Sequence, residues 1–247
     1  MKIIGLTVIH YGADYLKYSI GSVINFVDEH YVIYSSQGSH GSRTSEVCPD
    51  TREQLAALAI EAAGDKLRWV EKEFDNEGAQ REYIHELAPD ADCIIVVDSD
   101  EVYSEKLISD LDHLFSQPRY YNRRSRVGFW HYWRSFKRGF MHDPAWPERI
   151  IFPQVVNNNA GTIDTDGIIH HFGYAQRPEI VRYKQLTHGH KGEWRKDIDW
   201  FNDVFMANRQ TDCHPVGSEY WNCEDMDLSQ LPAILADHPY AEMDVIE

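Results

Sequence analysis

The feature that most constrains the fold is a short apolar run that ends in a cluster of acids. Residues 94–97 (Ile-Ile-Val-Val) are continuous and mostly β-branched, and residues 98–101 (Asp-Ser-Asp-Glu) follow them directly. Such a run is typical of a central parallel strand that is covered on both faces. Ligands of open α/β sheets collect beyond the carboxyl ends of these strands. The acids are therefore expected at the ligand-binding edge of a sheet.

Asp98 and Asp100 form an Asp-x-Asp pair that can bind one hard divalent cation. Mg²⁺ keeps positions open for phosphate oxygens, and Mn²⁺ accepts similar oxygen ligands. The alternative is a polar turn before a helix, because an isolated Asp-x-Asp pair is common. An EF-hand loop is disfavoured because the Gly that it requires is absent. We therefore predict a metal–phosphate site that holds Mn²⁺ or Mg²⁺.

Length, charge and cysteine content restrict the class of protein. The 247 residues are 43% apolar, which suits one domain with a large core, or one domain with a helical appendage. A net charge of −16 argues against a protein that coats nucleic acid or anionic membrane. No apolar run is long enough to cross a bilayer, and the N-terminus lacks a signal-peptide pattern. The four cysteines form no Cys-x-x-Cys pair, so a reduced, cytoplasmic protein is expected.

Strand and helix patterns alternate over about the first 115 residues. Apolar runs predict strands, and helical periodicity with capping residues predicts helices between them. This alternation, with short connections, predicts a mainly parallel sheet flanked by helices. Gly-rich dinucleotide and P-loop motifs are absent, so nucleotide binding of those two types is not expected. The predicted strands cover 3–9, 29–34, 67–74 and 94–97, and the predicted helices 14–26, 50–64, 76–87 and 104–115.

The second half of the chain changes character. Its strands are predicted at 127–133, 149–152 and 163–172, and Pro178 is well placed to begin a helix. Apolar spacing predicts a long amphipathic helix at 194–209, followed by loop and one short helix. No Lys or Arg occurs after Arg209, so the end of the chain is expected to be an acidic, solvated surface.

Several of these stretches together resemble GT-A-fold glycosyltransferases of the family-2-like kind. The Asp-x-Asp motif and its register with the preceding helix are moderately specific, and the other pieces are weaker. The matching stretches span roughly residues 2–190. They are the second strand (27–33), Asp75-Asn76-Glu77-Gly78-Ala79-Gln80-Arg81, Val96-Val97-Asp98-Ser99-Asp100-Glu101, Pro147-Glu148-Arg149-Ile150-Ile151-Phe152 and Ile169-His170-His171-Phe172-Gly173-Tyr174.

The resemblance implies a fold, a division of the chain and an activity. The fold would be GT-A, a Rossmann-like α/β arrangement with a mixed, mainly parallel sheet and a C-terminal helical extension. Residues 1–190 would form the transferase domain, with a nucleotide-binding half (1–115) and an acceptor half (116–190), and residues 191–247 the extension with its acidic tail. The activity would be metal-dependent transfer of a sugar from a nucleotide-diphosphate donor to a hydroxyl-bearing acceptor, such as a glycan or a lipid-linked molecule.

The same resemblance implies roles for individual residues. Asp100 would ligate the metal, and Asp98 would contact the ribose or reach the metal through water. His170 or His171 would supply a further ligand, and only one of them can face the site because adjacent strand residues point to opposite sides. His188 and His190 are weaker candidates. The remaining nucleotide-sugar contacts are predicted from Thr7, His10, Tyr11, Arg81 and Ser99.

Acceptor deprotonation in an inverting transfer requires a carboxylate. Glu148 is the first candidate, because it lies between Trp146-Pro147 and a strand that would wall the acceptor pocket. A salt bridge to a neighbour is the alternative role for this side chain. Asp143 and Glu101 are the next candidates for this base.

Three other functions stay open on the sequence. The segment 119–126 interleaves Arg with Tyr, so the acceptor could be anionic or a modified DNA base. A nucleotidyltransferase also uses strand-end carboxylates and a divalent metal, but it usually has a Gly-rich basic loop after the first strand, and residues 10–14 offer one Gly and no cation. A non-catalytic carbohydrate- or metal-binding module is the third alternative.

Overall fold

The structure is a computed structural model, and it consists of two mixed β-sheets with helices packed on them. It describes residues 1–38, 44–116, 125–141, 146–154, 161–162, 165–187, 194–216 and 221–246. Its strands are β1 (Ile3–Ile9), β2 (Glu29–Tyr34), β3 (Leu67–Glu71), β4 (Cys93–Val96), β5 (Glu101–Tyr103), β6 (Ser125–Arg126), β7 (Phe129–Trp133), β8 (Ser135–Phe140), β9 (Glu148–Ile151), β10 (Gly161–Thr162), β11 (Ile169–Tyr174) and β12 (Glu224–Asp225). Its α-helices are α1 (Leu16–Val23), α2 (Arg52–Ala63), α3 (Glu77–Glu82), α4 (Ile84–Leu87), α5 (Glu105–Phe115) and α6 (Pro178–Thr187).

The first sheet contains the predicted parallel core. Its strands are ordered β10-β6-β9-β4-β1-β2-β3, and β3, β2, β1 and β4 run parallel to one another. β9 then pairs antiparallel with β4. Both faces of β4 are covered: Ile95 packs with Leu107 and Leu111 of α5, whereas Ile94 packs with Ile84 of α4. The mixed, mainly parallel α/β sheet flanked by helices is thus confirmed.

The second sheet brings the later part of the chain to the acidic end of β4. Its order is β12-β8-β7-β11-β5. β5 follows the acid cluster directly and pairs antiparallel with β11, which sets Glu101 opposite His171. β7 pairs parallel with β11 and sets His131 opposite His171. The strand β5 was not predicted, and neither was the hairpin that joins β7 to β8.

Helix ends follow the capping rules that guided the prediction. The Thr51 hydroxyl accepts the N–H of Gln54 at the start of α2, and Ser104 does the same for Leu107 at the start of α5. Gly64 ends α2 with a φ of 51°, a conformation that favours glycine. None of the described helices combines the length and the apolar composition of a membrane-spanning segment.

The C-terminal part differs from the expected helical extension. The helix predicted at 194–209 is present only as a π-helical segment, Phe201–Met206, followed by short 3₁₀ turns. Trp194, Trp200 and Phe205 share one apolar cluster with Trp133 and Tyr174 of the second sheet. Burial of large aromatic side chains from both sides explains why this segment packs onto the sheet rather than forming a regular amphipathic helix.

Candidate functional site

A cavity of about 550 Å³ opens where the parallel strands of the first sheet end. Its floor is the turn of residues 98–101 after β4, and its walls come from the β1 end, α3, α6 and the second sheet. Its described charged side chains are Glu77, Asp98, Asp100, Glu101, Arg81, Arg149 and Lys184. We call six of these side chains the cavity cluster: Asp98, Asp100, Glu101, Arg81, Arg149 and Lys184.

Asp98 lies between two arginines. Arg81 Nη2 donates to Asp98 Oδ1 over 2.7 Å, and Arg149 Nη2 donates to Asp98 Oδ2 over 2.7 Å. Burial acts to raise the pKa of the Asp98 carboxyl, but Arg149 and Arg81 outweigh it and hold that pKa below its ordinary value. The carboxylate is therefore ionised at neutral pH.

Glu101 is held by Arg149 through both carboxylate oxygens. The Nε–Oε2 and Nη2–Oε1 distances are 2.8 and 2.6 Å. Only 1% of the Glu101 side chain is exposed. Burial raises the pKa of this carboxyl despite Arg149, and the nearby Asp98 charge adds to the rise. This bidentate hydrogen bonding to a buried carboxylate fixes the Arg149 guanidinium at the cavity floor.

Asp100 is surrounded by donors from β11, from the loop that follows β11 and from α6. Lys184 Nζ and Gln176 Nε2 each lie 3.1 Å from Oδ2, and His171 Nε2 lies 3.7 Å from Oδ1. Burial again acts to raise the pKa, but Lys184 and His171 lower the pKa of Asp100 to well below its ordinary value. The backbone carbonyl of Asp100 accepts the N–H of Phe172 over 2.8 Å, which ties the acid to β11.

The two adjacent histidines of β11 face opposite sides, as the sequence required. His171 lines the cavity, and its Nδ1 lies 2.7 Å from His131 Nδ1 on β7. His170 is fully buried away from the cavity, with Nδ1 2.7 Å from the Tyr132 hydroxyl. Burial lowers the pKa of His170 to about 3, so its ring is neutral. Of the predicted pair, His171 is the residue at the site.

The loop after β1 forms one rim of the cavity. His10 and Tyr11 both line it, and Tyr183 of α6 holds His10 through a 2.8 Å contact between its hydroxyl and Nε2. Ser99 also lines the cavity, and its hydroxyl donates to the carbonyl of Tyr11 over 3.2 Å. A Cβ on Gly12 would lie 2.1 Å from the Ser99 hydroxyl, so only glycine permits this close approach.

Besides His170, two predicted site residues do not line the cavity. Thr7 is buried inside the sheet, where its hydroxyl donates to the carbonyl of Val97 over 2.7 Å. Glu148 is absent from the described cavity lining, whereas its neighbour Arg149 is present, because successive strand residues point to opposite faces. This geometry does not support Glu148 as the acceptor base. Asp143, His188, His190 and most of the basic segment 119–126 lie outside the described residues.

Several cavity residues escaped the sequence reasoning. Arg149 belongs to the matching stretch 147–152 but has no predicted site role, although its place on a short strand before a buried residue makes an inward direction possible. Lys184 lies on α6, more than 80 residues from Asp100, and no local motif marks it. His131, His214 and Trp221 also reach the cavity from separate elements. Only tertiary pairing, such as that of β7 with β11, could identify them.

The described residues do not form a complete set of protein ligands for a metal ion. Within the described residues, no group of three or more His, Cys, Asp and Glu side chains converges on one point. However, the 3.7 Å between His171 Nε2 and Asp100 Oδ1 is shorter than two metal–ligand bonds of about 2.1 Å each. One ion can therefore touch both atoms. A Mg²⁺-type site needs only one or two protein ligands when phosphate and water complete it.

Comparisons with known proteins add likenesses to solved structures. No family model matches the chain, and neither does any curated protein. The crystal structure of S. aureus TarS 1-349 is 11% identical over 76% of this chain and 64% of that one, with a TM-score of 0.41. A further crystal structure of S. aureus TarS is 16% identical over 53% of this chain and 22% of that one, with a TM-score of 0.37. The crystal structure of a mycobacterial protein is 16% identical over 54% of this chain and 41% of that one, with a TM-score of 0.32. This chain spans less than two thirds of the length of each of them.

Proposed function

We propose that this chain is a glycosyltransferase that takes its sugar from a nucleotide-diphosphate donor with the help of a divalent cation. One observation carries the proposal: the Asp98-Ser99-Asp100 turn at the end of β4 forms the floor of a cavity of about 550 Å³. That volume is within the range of small-molecule sites. The location is the one at which open α/β sheets bind ligands.

The charge of the cavity supports a requirement for a cation. Its described lining has four carboxylates and three Lys or Arg side chains, so it carries one net negative charge when its histidines are neutral. A nucleotide diphosphate is also anionic, and like charges at short range in a partly buried site repel strongly. A divalent cation reverses the local charge and stabilises the diphosphate as it leaves.

His171 and Asp100 are the residues that would hold the ion. If His171 donates its Nδ1 proton to His131, its Nε2 lone pair faces Asp100 and the cavity. Such a hydrogen bond from the non-ligating nitrogen is usual for metal-binding histidines. Lys184 would then stand beside the ion on Asp100 Oδ2, where its ammonium group can meet a phosphate oxygen. Mn²⁺ suits this mixed nitrogen and oxygen set.

The arginines of the cavity cluster would position the donor rather than react with it. Arg81 and Arg149 are fixed by Glu77, Asp98 and Glu101, so their directions are set before a ligand arrives. Prearranged charges of this kind stabilise the charge that develops on a leaving group without reorganisation. Tyr11 on the rim offers an aromatic face for the nucleotide base.

A nucleotidyltransferase is disfavoured by the loop after β1. Its backbone N–H groups at Gly12 and Ala13 both donate to Asp50 Oδ2, over 2.7 and 2.9 Å. A loop that binds triphosphate needs such N–H groups for phosphate oxygens. Here a carboxylate of the chain itself occupies them.

The test is a thermal-shift panel with UDP, GDP, CDP, ADP and TDP, each with Mn²⁺ and with EDTA. A ligand that binds the native state raises the melting temperature by mass action. We expect one nucleotide to raise it only with the metal, and the matching sugar nucleotide to be hydrolysed or transferred. No shift with any nucleotide would overturn the proposal, and a shift with metal alone would favour a binding module.

The adjacent histidines provide a matched pair of variants for the metal. His171→Ala is expected to weaken the Mn²⁺-dependent shift at least tenfold in apparent affinity, because one of two ligands is lost. His170→Ala is expected to lower the melting temperature while it retains nucleotide and metal binding, since His170 is buried against Tyr132. Equal loss of binding in both variants would contradict the assignment of His171.

A further inference from the structure

Cys213 and Cys223 are neighbouring free thiols beside the cavity. Their Sγ atoms are 3.6 Å apart although the residues are ten positions apart in the chain. Backbone hydrogen bonds hold them together: the Cys213 N–H donates to the carbonyl of Trp221 over 3.2 Å, and the Cys223 N–H to that of Gln210 over 2.7 Å. The backbone therefore holds the two described cysteines side by side.

The two thiols differ in access and in acidity. Cys213 is 1% exposed, and its thiol contacts the carbonyl of Trp221 at 3.1 Å, whereas Cys223 is half-buried. A hydrogen bond from Cys213 lowers the pKa of the Cys223 thiol against the effect of burial, and Arg138 lowers it further. Thiolate character and access identify Cys223 as the more reactive of the two.

The segment between the cysteines contributes to the cavity wall. His214, Val216 and Trp221 all line the cavity. The rings of His214 and Trp221 are 4.3 Å apart, and Trp221 is 5.0 Å from His131, the partner of His171. A covalent bond between the flanking cysteines would therefore fix the base of this wall.

We propose that Cys213 and Cys223 are a redox modification site that forms a reversible disulfide under an oxidant such as hydrogen peroxide. The Cys223 thiolate attacks one peroxide oxygen, which gives a sulfenic acid and releases hydroxide. The Cys213 sulfur then attacks the sulfenyl sulfur, and the oxygen leaves as water once it takes up the Cys213 proton. Two thiols and one peroxide give one disulfide and two waters. The sulfurs need to move from 3.6 Å to about 2.0 Å apart.

The experiment counts thiols in the full chain before and after oxidation. The reduced protein has four, and mild peroxide treatment is expected to leave two when they are titrated in denaturant. Mass spectrometry of the digest should then show one peptide pair joined at Cys213 and Cys223, and dithiothreitol should restore all four thiols. Four remaining thiols, or a bridge to Cys48 or Cys93, would overturn the proposal.

Variants separate the bridge from general oxidation. Cys48→Ser is the matched control, because Cys48 is half-buried and burial raises the pKa of its thiol to about 11. It should still lose two thiols on oxidation, whereas Cys223→Ser should lose none. Oxidation should also raise the melting temperature of the wild type and leave that of Cys223→Ser unchanged, because the bridge restricts the unfolded chain. These readouts need no substrate, so they are independent of the proposed transferase activity.

Discussion

Two clusters of buried carboxylates and cationic side chains resemble each other in composition but differ in what satisfies their oxygens. The first, which we call the Arg177 cluster, consists of Asp14, Asp50 and Arg177. Asp50 accepts the backbone N–H groups of Gly12 and Ala13, and Asp14 accepts that of Arg177 over 2.8 Å. The Arg177 guanidinium joins the two acids. Backbone donors are fixed, so this cluster holds the β1 loop against the start of α6.

The cavity cluster relies almost entirely on side-chain donors. Asp98 is bound by Arg81 and Arg149, and Asp100 by Lys184 together with Gln176 and His171. These donors line an open cavity, so a ligand or a metal ion can displace or share them. Burial of an ion pair therefore does not by itself make it accessible to a ligand: backbone donors close the Arg177 cluster, whereas the donors of the cavity cluster lie at the cavity wall.

The largest expected effect is the loss of stability in Asp50→Ala. The substitution removes a fully buried carboxylate and leaves two backbone N–H groups and a guanidinium without it. Breaking such a pair costs about 3 kcal/mol of unfolding free energy. Urea unfolding measures the change, and the folded fraction should keep its nucleotide binding. A midpoint equal to that of the wild type would show that the Arg177 cluster is not structural.

A smaller loss of stability is expected from Asp100→Ala. Lys184 loses its carboxylate, but it faces an open cavity through which water can solvate the ammonium group. We expect about 1 kcal/mol of unfolding free energy to be lost, together with metal-dependent nucleotide binding. Parallel urea and thermal-shift measurements test both parts. A loss larger than that of Asp50→Ala would reverse the comparison.

The pH dependence of stability should separate the clusters further. The pKa of Asp100 is well below its ordinary value, so its stabilising contribution is present above about pH 4 and is lost as the pH falls towards the folded-state pKa. Burial raises the pKa of Asp14 despite Arg177, so acidification through that pKa favours its folded state instead. The stability advantage of wild type over Asp100→Asn should shrink between pH 6 and pH 3.5, whereas that over Asp14→Asn should grow. Urea-unfolding midpoints of the wild type and of both variants, measured at the two pH values, test this expectation. The same trend in both variants would contradict this account.

The smallest effect is expected at an exposed pair that belongs to neither cluster. Asp90 is 67% exposed and meets Lys2 at 2.9 Å. Solvent screens such a pair, so Asp90→Ala should change neither the melting temperature nor nucleotide binding measurably. It is the acid-removal control for Asp50→Ala and Asp100→Ala. A measurable loss of binding would show that charge removal anywhere on the chain affects the site.

Much of the first half was predictable because its signals are local. The apolar run of β4, the Ser104 cap and the Gly64 stop each act within a few residues, and the structure has all three. The capping box predicted to begin at Asp50 begins one residue later, at Thr51. The prediction failed at 194–209, where helical spacing of aromatics reflects packing onto the second sheet instead of a long helix. The role predicted for Glu148 stays a prediction, but the described cavity lining contains its neighbour Arg149 instead, because the direction of each side chain depends on the register of β9 with β4.

The amino-acid sequence alone predicts the acidic turn after a buried parallel strand, because adjacent residues encode the strand period, the burial and the chain direction. It also predicts that only one of His170 and His171 can face the site. Which of the two does so depends on the assembled fold, which also brings Lys184, Arg149 and His131 to the acids. These partners meet through strand register and helix packing across 40 or more residues. No local pattern records a contact of that range, since its energy arises only when the sheets and α6 are assembled.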